Sequence, residues 1–136
     1  MILCVATLLG VCAGLLHWWG TNTFGGYNPN SSHDVQKLFT IAENSRPLRD
    51  ALERFKHDKN GYPNVVTNLF PSYLQAAPIW LEDWHYELES TNGYILHYQT
   101  GWDDALCYEH LVSGANDWYY WNGVTRTDLT QKFQQF

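Results

Sequence analysis

The segment Arg46–Pro78, RPLRDALERFKHDKNGYPNVVTNLFPSYLQAAP, decides the architecture predicted for this chain of 136 residues. Its first half continues a helix, because the residues of one helical stripe recur at steps of three and four. The stripe consists of Leu38, Ile41, Ser45, Leu48, Leu52 and Phe55. Asn60 and Gly61 suit a left-handed helix end, and Pro63 prevents continuation. We therefore expect the helix to stop near residue 60 and strands to follow Pro78.

Pro47 lies inside this stripe and leaves two interpretations open. In the first, one amphipathic helix runs from about His33 to Asp58 and is kinked at the proline. In the second, the helix restarts with Ser45 as its N-cap and Pro47 in its first turn, where a missing N–H is tolerated. The stripe keeps its register across the proline, so the continuous helix is our prediction.

Alternation of apolar and polar residues predicts antiparallel strands in the second half of the chain. Residues 84–89 and 94–98 form a hairpin in this interpretation, and residues 105–110 and 118–122 supply two further strands. The predicted fold class is α+β, in which an apolar N-terminal helix precedes a long amphipathic helix packed on an antiparallel sheet of about four strands.

The register of the predicted hairpin follows from its loop. A three-residue loop at 91–93, ending in a glycine, pairs Leu88 with Leu96 and Glu87 with His97. One face of the hairpin then carries the aromatic and aliphatic side chains. The opposite face carries His85, Glu87, Glu89 and His97.

The first twenty residues contain no Lys, Arg, Asp or Glu. Eighteen residues at helical rise span about 27 Å, close to the hydrocarbon thickness of a bilayer. We expect a membrane anchor over residues 1–20, a linker over 21–32 and one domain over 33–136. A cleaved secretory signal and a buried soluble helix remain the alternatives for the leader. As an anchor, it would assemble through the Gly10 and Gly14 pair and place Trp18 and Trp19 at the interface.

Composition excludes several function classes. The formal charge of −6 is concentrated in the second half of the chain, which argues against nucleic-acid binding. Two of the three cysteines lie in the leader, so Cys107 has no partner for a disulfide inside the domain. Neither a zinc-binding spacing, a phosphate-binding loop nor a nucleophile arrangement is visible. The sequence therefore predicts a protein that is not an enzyme.

The order of these parts resembles the type IV pilins and the pseudopilins of type II secretion. The resemblance covers about residues 38–98: the helix end at 48–55, the segment Asp58-Lys59-Asn60-Gly61-Tyr62-Pro63, the positions Leu69, Pro71, Tyr73, Leu74 and Pro78, and the hairpin. It implies a non-enzymatic subunit anchored in the inner membrane, with an extracytoplasmic domain that assembles with itself or with other pilin-like subunits. The charged prepilin processing motif of those families is absent, so we expect a pilin-like domain on an ordinary anchor.

Two groups of side chains are candidates for metal binding. His85, Glu87 and His97 would share one face of the hairpin, where imidazoles and a carboxylate suit zinc or copper. Asp103 and Asp104 could offer oxygen ligands to calcium. The alternative interpretations are a solvated strand face for the hairpin residues and an exposed turn for the two aspartates. We expect no cofactor, with calcium as the alternative.

Tryptophans supply the remaining candidate residues. Trp118 and Trp121 lie in the predicted strand 118–122, whose alternate side chains would point to opposite faces, and Trp102 lies in a predicted turn. Exposed rings of this kind bind sugars by stacking or contact proteins. The predicted function is therefore protein–protein assembly of a membrane-anchored subunit in a surface or secretion-related complex. The alternative is an anchored, aromatic-rich module that binds glycan or peptide.

Overall fold

The computed structural model describes residues 26–75 and 79–136, together with all their side chains except those of residues 79 and 80. Two helices of similar length come first, α1 over Ser32–Asn44 and α2 over Arg46–Lys59. The predicted fold, with one long amphipathic helix, is therefore wrong. The chain follows the alternative in which the helix restarts after Ser45 as its N-cap, with Pro47 in its first turn. The predicted apolar helix and anchor over residues 1–20 lie outside the described residues.

The break between the helices has a local cause at Ser45. Pro47 has no N–H to bond to the carbonyl four residues earlier, so the helical ladder cannot pass through it. The Ser45 N–H instead bonds to Ala42 O at 3.1 Å, and its hydroxyl donates to the same oxygen at 2.7 Å. Ser45 is fully buried, and its oxygen accepts from Arg49 Nε at 3.1 Å. The apolar stripe keeps its phase because Ser45 retains helical dihedral angles.

The second half of the chain is an antiparallel sheet of five strands in sequence order. The strands are β1 Trp84–Ser90, β2 Gly93–Gln99, β3 Asp104–His110, β4 Asn116–Asn122 and β5 Arg126–Asp128. Four lie where alternation predicted strands, and the fifth was not predicted. Two 3₁₀ helices, Val66–Leu69 and Ile79–Asp83, connect α2 to the sheet, and a last short helix, α3, covers Thr130–Phe133.

The predicted hairpin register is wrong by two residues. β1 and β2 pair Leu88 with Tyr94 and His85 with His97, and the ladder is irregular between Leu88 and Ser90. A shift of two residues keeps every side chain on its predicted face, because strand side chains alternate with a period of two. The loop is shorter than predicted, and the extra residue is taken up by the irregularity near Glu89.

The core lies between the helices and one face of the sheet. Its sheet residues include Tyr94, Leu96, Leu106 and Tyr120, all at most 1% exposed. The helices contribute Leu38, Leu48 and Leu52, which are fully buried positions of the predicted stripe. Burial of these aromatic and aliphatic side chains holds the two layers together.

Residues 26–31, which belong to the predicted linker, pack against the domain. The Tyr27 N–H donates to the Tyr120 hydroxyl at 2.8 Å, and Lys132 Nζ donates to Pro29 O at 2.5 Å. Ser31 caps α1, since its hydroxyl accepts from the Asp34 N–H. Among the helices that the structure describes, none has both the length and the apolar character needed to cross a membrane.

Candidate binding surface

The face of the sheet that points away from the core is called the outer sheet face. The strand pairings align one row of residues across all five strands on this face. The row consists of His85, His97, Cys107, Tyr119 and Asp128. Polar and charged side chains dominate the face toward β1, whereas aromatic rings concentrate toward β4.

Three residues on β4 and β5 form what we call the outer-face cluster: Tyr119, Trp121 and Arg126. The Arg126 guanidinium lies 3.7 Å from the centre of the Tyr119 ring. Arg126 is the cross-strand partner of Trp121. A cation–π contact at this distance fixes the guanidinium over the ring. The cluster is therefore organised before any partner arrives.

Two carboxylates also contact the Arg126 guanidinium. Its Nη1 donates to Glu109 Oε2 at 2.8 Å, and its Nη2 lies 3.8 Å from Asp117 Oδ2. The arginine side chain is 46% exposed, so each pair is a surface ion pair with a small energetic contribution. Their main effect is to orient the guanidinium.

Cys107 and His97 lie beside the cluster and are poorly suited to catalysis. Cys107 is 2% exposed, and its Sγ lies 3.5 Å from His97 Nδ1. Burial raises the pKa of the Cys107 thiol to about 11, so the thiol is protonated at neutral pH. Burial also lowers the pKa of His97, and the Glu87 carboxylate opposes that effect. Because nucleophilic cysteines react as thiolates, this pair lacks the required charge state.

The three candidate metal ligands of the hairpin lie on the neighbouring strands β1 and β2. His97 Nε2 lies 3.7 Å from Glu87 Oε2, and His85 is the cross-strand neighbour of His97. Within residues 26–75 and 79–136, no group of three or more His, Cys, Asp or Glu side chains is arranged to hold a metal ion.

The candidate calcium ligands have different neighbours. The Asp103 carboxylate lies against Gly123, whereas the Asp104 carboxylate lies against Gly26 and Gly101. Each acidic side chain therefore packs against a different stretch of backbone.

The three candidate tryptophans have different environments. Trp102 is 85% exposed in the β2–β3 turn, and Trp121 is 38% exposed at the end of β4. Trp118 is 9% exposed. It packs edge-on against Trp84 and at a tilt against the rings of Tyr108 and Phe133. Trp118 is therefore a core residue, and only Trp102 and Trp121 are accessible to a ligand or partner. The predicted assembly residues Gly10, Gly14, Trp18 and Trp19 lie outside the described residues.

A polar network on the core side is structural. The Tyr62 hydroxyl donates to Glu53 Oε1 at 2.6 Å, and His110 Nδ1 lies 2.6 Å from Asn116 Oδ1. The His110 ring is stacked on Tyr94, with centres 5.3 Å apart. These contacts involve α2, the loop after it and three strands, which accounts for the buried histidine without a catalytic role.

A surface groove of about 430 Å³ runs along α2. It is lined by Glu53, Arg54, His57, Asp58, Ser72 and Tyr73. Arg54 Nη2 donates to Tyr73 O at 2.7 Å, and the Tyr73 hydroxyl donates to Asp58 at 3.0 Å. Much of the polar lining is therefore paired within the wall, and the groove offers few free groups to a ligand.

Two residues of the outer-face cluster were not identified from the sequence. Alternation along the strand puts Tyr119 on the face opposite Trp118, but nothing in the sequence marks it as a contact residue. Arg126 lies on β5, whose three residues are too short for a visible alternation. Only the pairing of β5 with β4 brings the arginine to the tyrosine ring.

Comparison with known proteins gives no match to a family model, to a curated protein or to a solved structure.

Proposed function

We propose that the chain is a non-enzymatic, membrane-anchored subunit that acts by protein–protein assembly through its outer sheet face. The observation that supports this most is the outer-face cluster of Tyr119, Trp121 and Arg126. Tyrosine, tryptophan and arginine are enriched at protein interfaces and dominate their binding energies. Here the three occur together on a solvent-facing surface.

The pre-organised side chain of Arg126 also supports a role in protein–protein assembly. Arg126 is held by the Tyr119 ring and by Glu109, so little side-chain freedom is lost when a partner binds. Trp121 extends this patch with an aromatic surface that is 38% exposed. Contact with a partner would remove that apolar surface from water.

The resemblance to pilin-like subunits supports the proposed class of function, since those proteins work by assembly. In this proposal the apolar residues 1–20 attach the chain to the inner membrane, and the described domain is extracytoplasmic. Self-association, or association with other pilin-like subunits, is then the expected mode of action.

The proposal is tested with the full chain purified in detergent. Sedimentation velocity over a range of protein concentrations measures association of the wild type and of Trp121→Ala and Arg126→Ala. If this surface carries a hot spot, each substitution weakens association by about tenfold or more, which corresponds to about 1.4 kcal/mol. Val112→Ala is the control, because Val112 is 63% exposed in the β3–β4 turn at the opposite end of the sheet. A monomeric wild type that captures no pilin-like subunit would overturn the proposal.

Glycan or peptide binding is the second candidate function, and the exposed rings of Trp102 and Trp121 favour it. Sugar rings and peptide side chains stack on accessible indoles. A glycan array and a peptide array probed with wild type and Trp121→Ala separate the two functions. Binding that is lost in the variant, by a protein that stays monomeric, would favour the module over the assembly subunit.

A further inference from the structure

Two exposed apolar side chains occupy neighbouring turns at one end of the sheet. Trp102 is 85% exposed in the β2–β3 turn, and Val124 is 81% exposed in the β4–β5 turn. The turns are adjacent because Asp104 and Asn122 pair at the ends of β3 and β4. They also touch, since the Asp103 carboxylate lies against Gly123. We call this surface the turn end.

Gly123 is suited to this contact for a backbone reason. Its φ is +80°, a conformation that favours glycine, and a Cβ atom there would collide with the Asp103 carboxylate. The two turns are therefore held together closely, and their exposed side chains belong to one surface.

The N-terminal part of the chain reaches the domain at the same end. The Asp104 carboxylate lies against both Gly26 and Gly101, and Gly101 directly precedes Trp102. The Tyr27 N–H is fixed to the Tyr120 hydroxyl at 2.8 Å. Residue 26 thus lies beside the turn that carries Trp102.

From this placement we infer that the turn end rests on the surface of a lipid bilayer, with Trp102 in the interfacial region. The inference rests on the proposed membrane anchor over residues 1–20. Only residues 21–25 separate that anchor from Gly26, and the six residue steps from position 20 to Gly26 span at most about 22 Å. The turn end is therefore the part of the described domain that is tethered closest to the membrane.

The side chains at this end fit a lipid interface. An indole combines an apolar body with one N–H donor and concentrates at the level of lipid headgroups, and Val124 adds apolar surface. Asp103 and Asp104, which lie within this surface, are acidic. Anionic headgroups attract basic rather than acidic segments, so the surface suits zwitterionic lipid better than anionic lipid.

The test uses the full chain reconstituted in phosphatidylcholine vesicles that contain lipids brominated close to the headgroup. Bromine quenches tryptophan fluorescence at short range, and the difference between wild type and Trp102→Phe isolates the emission of Trp102. We expect that difference emission to be quenched by brominated lipid and protected from acrylamide in the water. Replacing phosphatidylcholine by phosphatidylglycerol should reduce the quenching.

Trp118→Phe is the control, since Trp118 is a core residue at 9% exposure and its emission should not respond to brominated lipid. Retention of the chain by the vesicles after alkaline washing tests the anchor separately. A retained chain whose Trp102 emission is quenched by acrylamide and not by brominated lipid would overturn the inference alone. A chain that washes off would overturn both the anchor and the inference.

Discussion

Cys107 shows how neighbouring side chains can bury a residue on the outward face of a sheet. It is 2% exposed, and its strand neighbours in the row are His97 and Tyr119. Burial raises the pKa of its thiol from an ordinary value of 9.0 to about 11. The folded protein therefore binds this proton more tightly than the unfolded chain does.

This proton linkage predicts a loss of stability at alkaline pH. The contribution is fully present below pH 9.0 and is lost as the pH rises through about 11, because only the unfolded chain ionises freely in that interval. The loss is on the order of 2–3 kcal/mol. Denaturant unfolding of the full chain in detergent, at about pH 8 and about pH 11, measures it.

Cys107→Ala is the control for this effect, since it removes the thiol but leaves every tyrosine that also titrates at high pH. The variant should lose less stability than the wild type between the two pH values. Equal losses in the two proteins would show that the thiol makes no contribution.

The four residues Trp118–Trp121 show how much of the candidate surface can be predicted from the sequence. Alternation alone assigns its side chains to opposite faces, and the structure places Trp118 in the core and Trp121 outside. The sequence does not say which of the two faces meets the helices, since both carry aromatic rings. The sequence also does not identify Arg126, because its contact with Tyr119 depends on the pairing of β5 with β4.

Among the elements, α2 ends as the sequence predicted, and the cause is Asn60. This residue has φ 58° and ψ 35°, the left-handed conformation, and its N–H bonds to Lys56 O. Asparagine tolerates that conformation better than most residues do, whereas a β-branched side chain is strained there.

Substitution of Asn60 therefore has a predictable sign. Asn60→Val should lower the free energy of unfolding by about 1–2 kcal/mol. Asn60→Gly, which adopts positive φ freely, should leave it unchanged or raise it slightly. Chemical denaturation of both variants checks the prediction, and a valine variant as stable as the glycine variant would contradict it.

Two element-level predictions failed for identifiable reasons. Hydrophobic periodicity does not detect the break at Ser45, because that residue keeps helical dihedral angles and the stripe passes through it in phase. The hairpin register failed because pairings two residues apart bury the same faces. The observed pairing differs from the predicted one by an irregularity between Leu88 and Ser90. The alternation of apolar and polar residues does not predict that irregularity.

For the molecule as a whole, protection from local opening should follow burial across the sheet. Strands β2, β3 and β4 contain Tyr94, Leu96, Leu106 and Tyr120, which are at most 1% exposed, while β5 has three residues and lies at an edge. Amides of the three central strands should exchange with solvent slowest and those of Arg126–Asp128 fastest among the strands. Hydrogen exchange read by mass spectrometry measures this order. Protection of β5 equal to that of β3 would show that the sheet opens as one unit.

The strand order has a consequence for folding kinetics. Every strand pairs only with strands adjacent to it in sequence, so each hairpin closes a short loop. Short loops lose little chain entropy on closure, and folds dominated by such local pairings fold fast. The sheet can therefore form hairpin by hairpin from local pairings, without distant segments of the chain having to meet first.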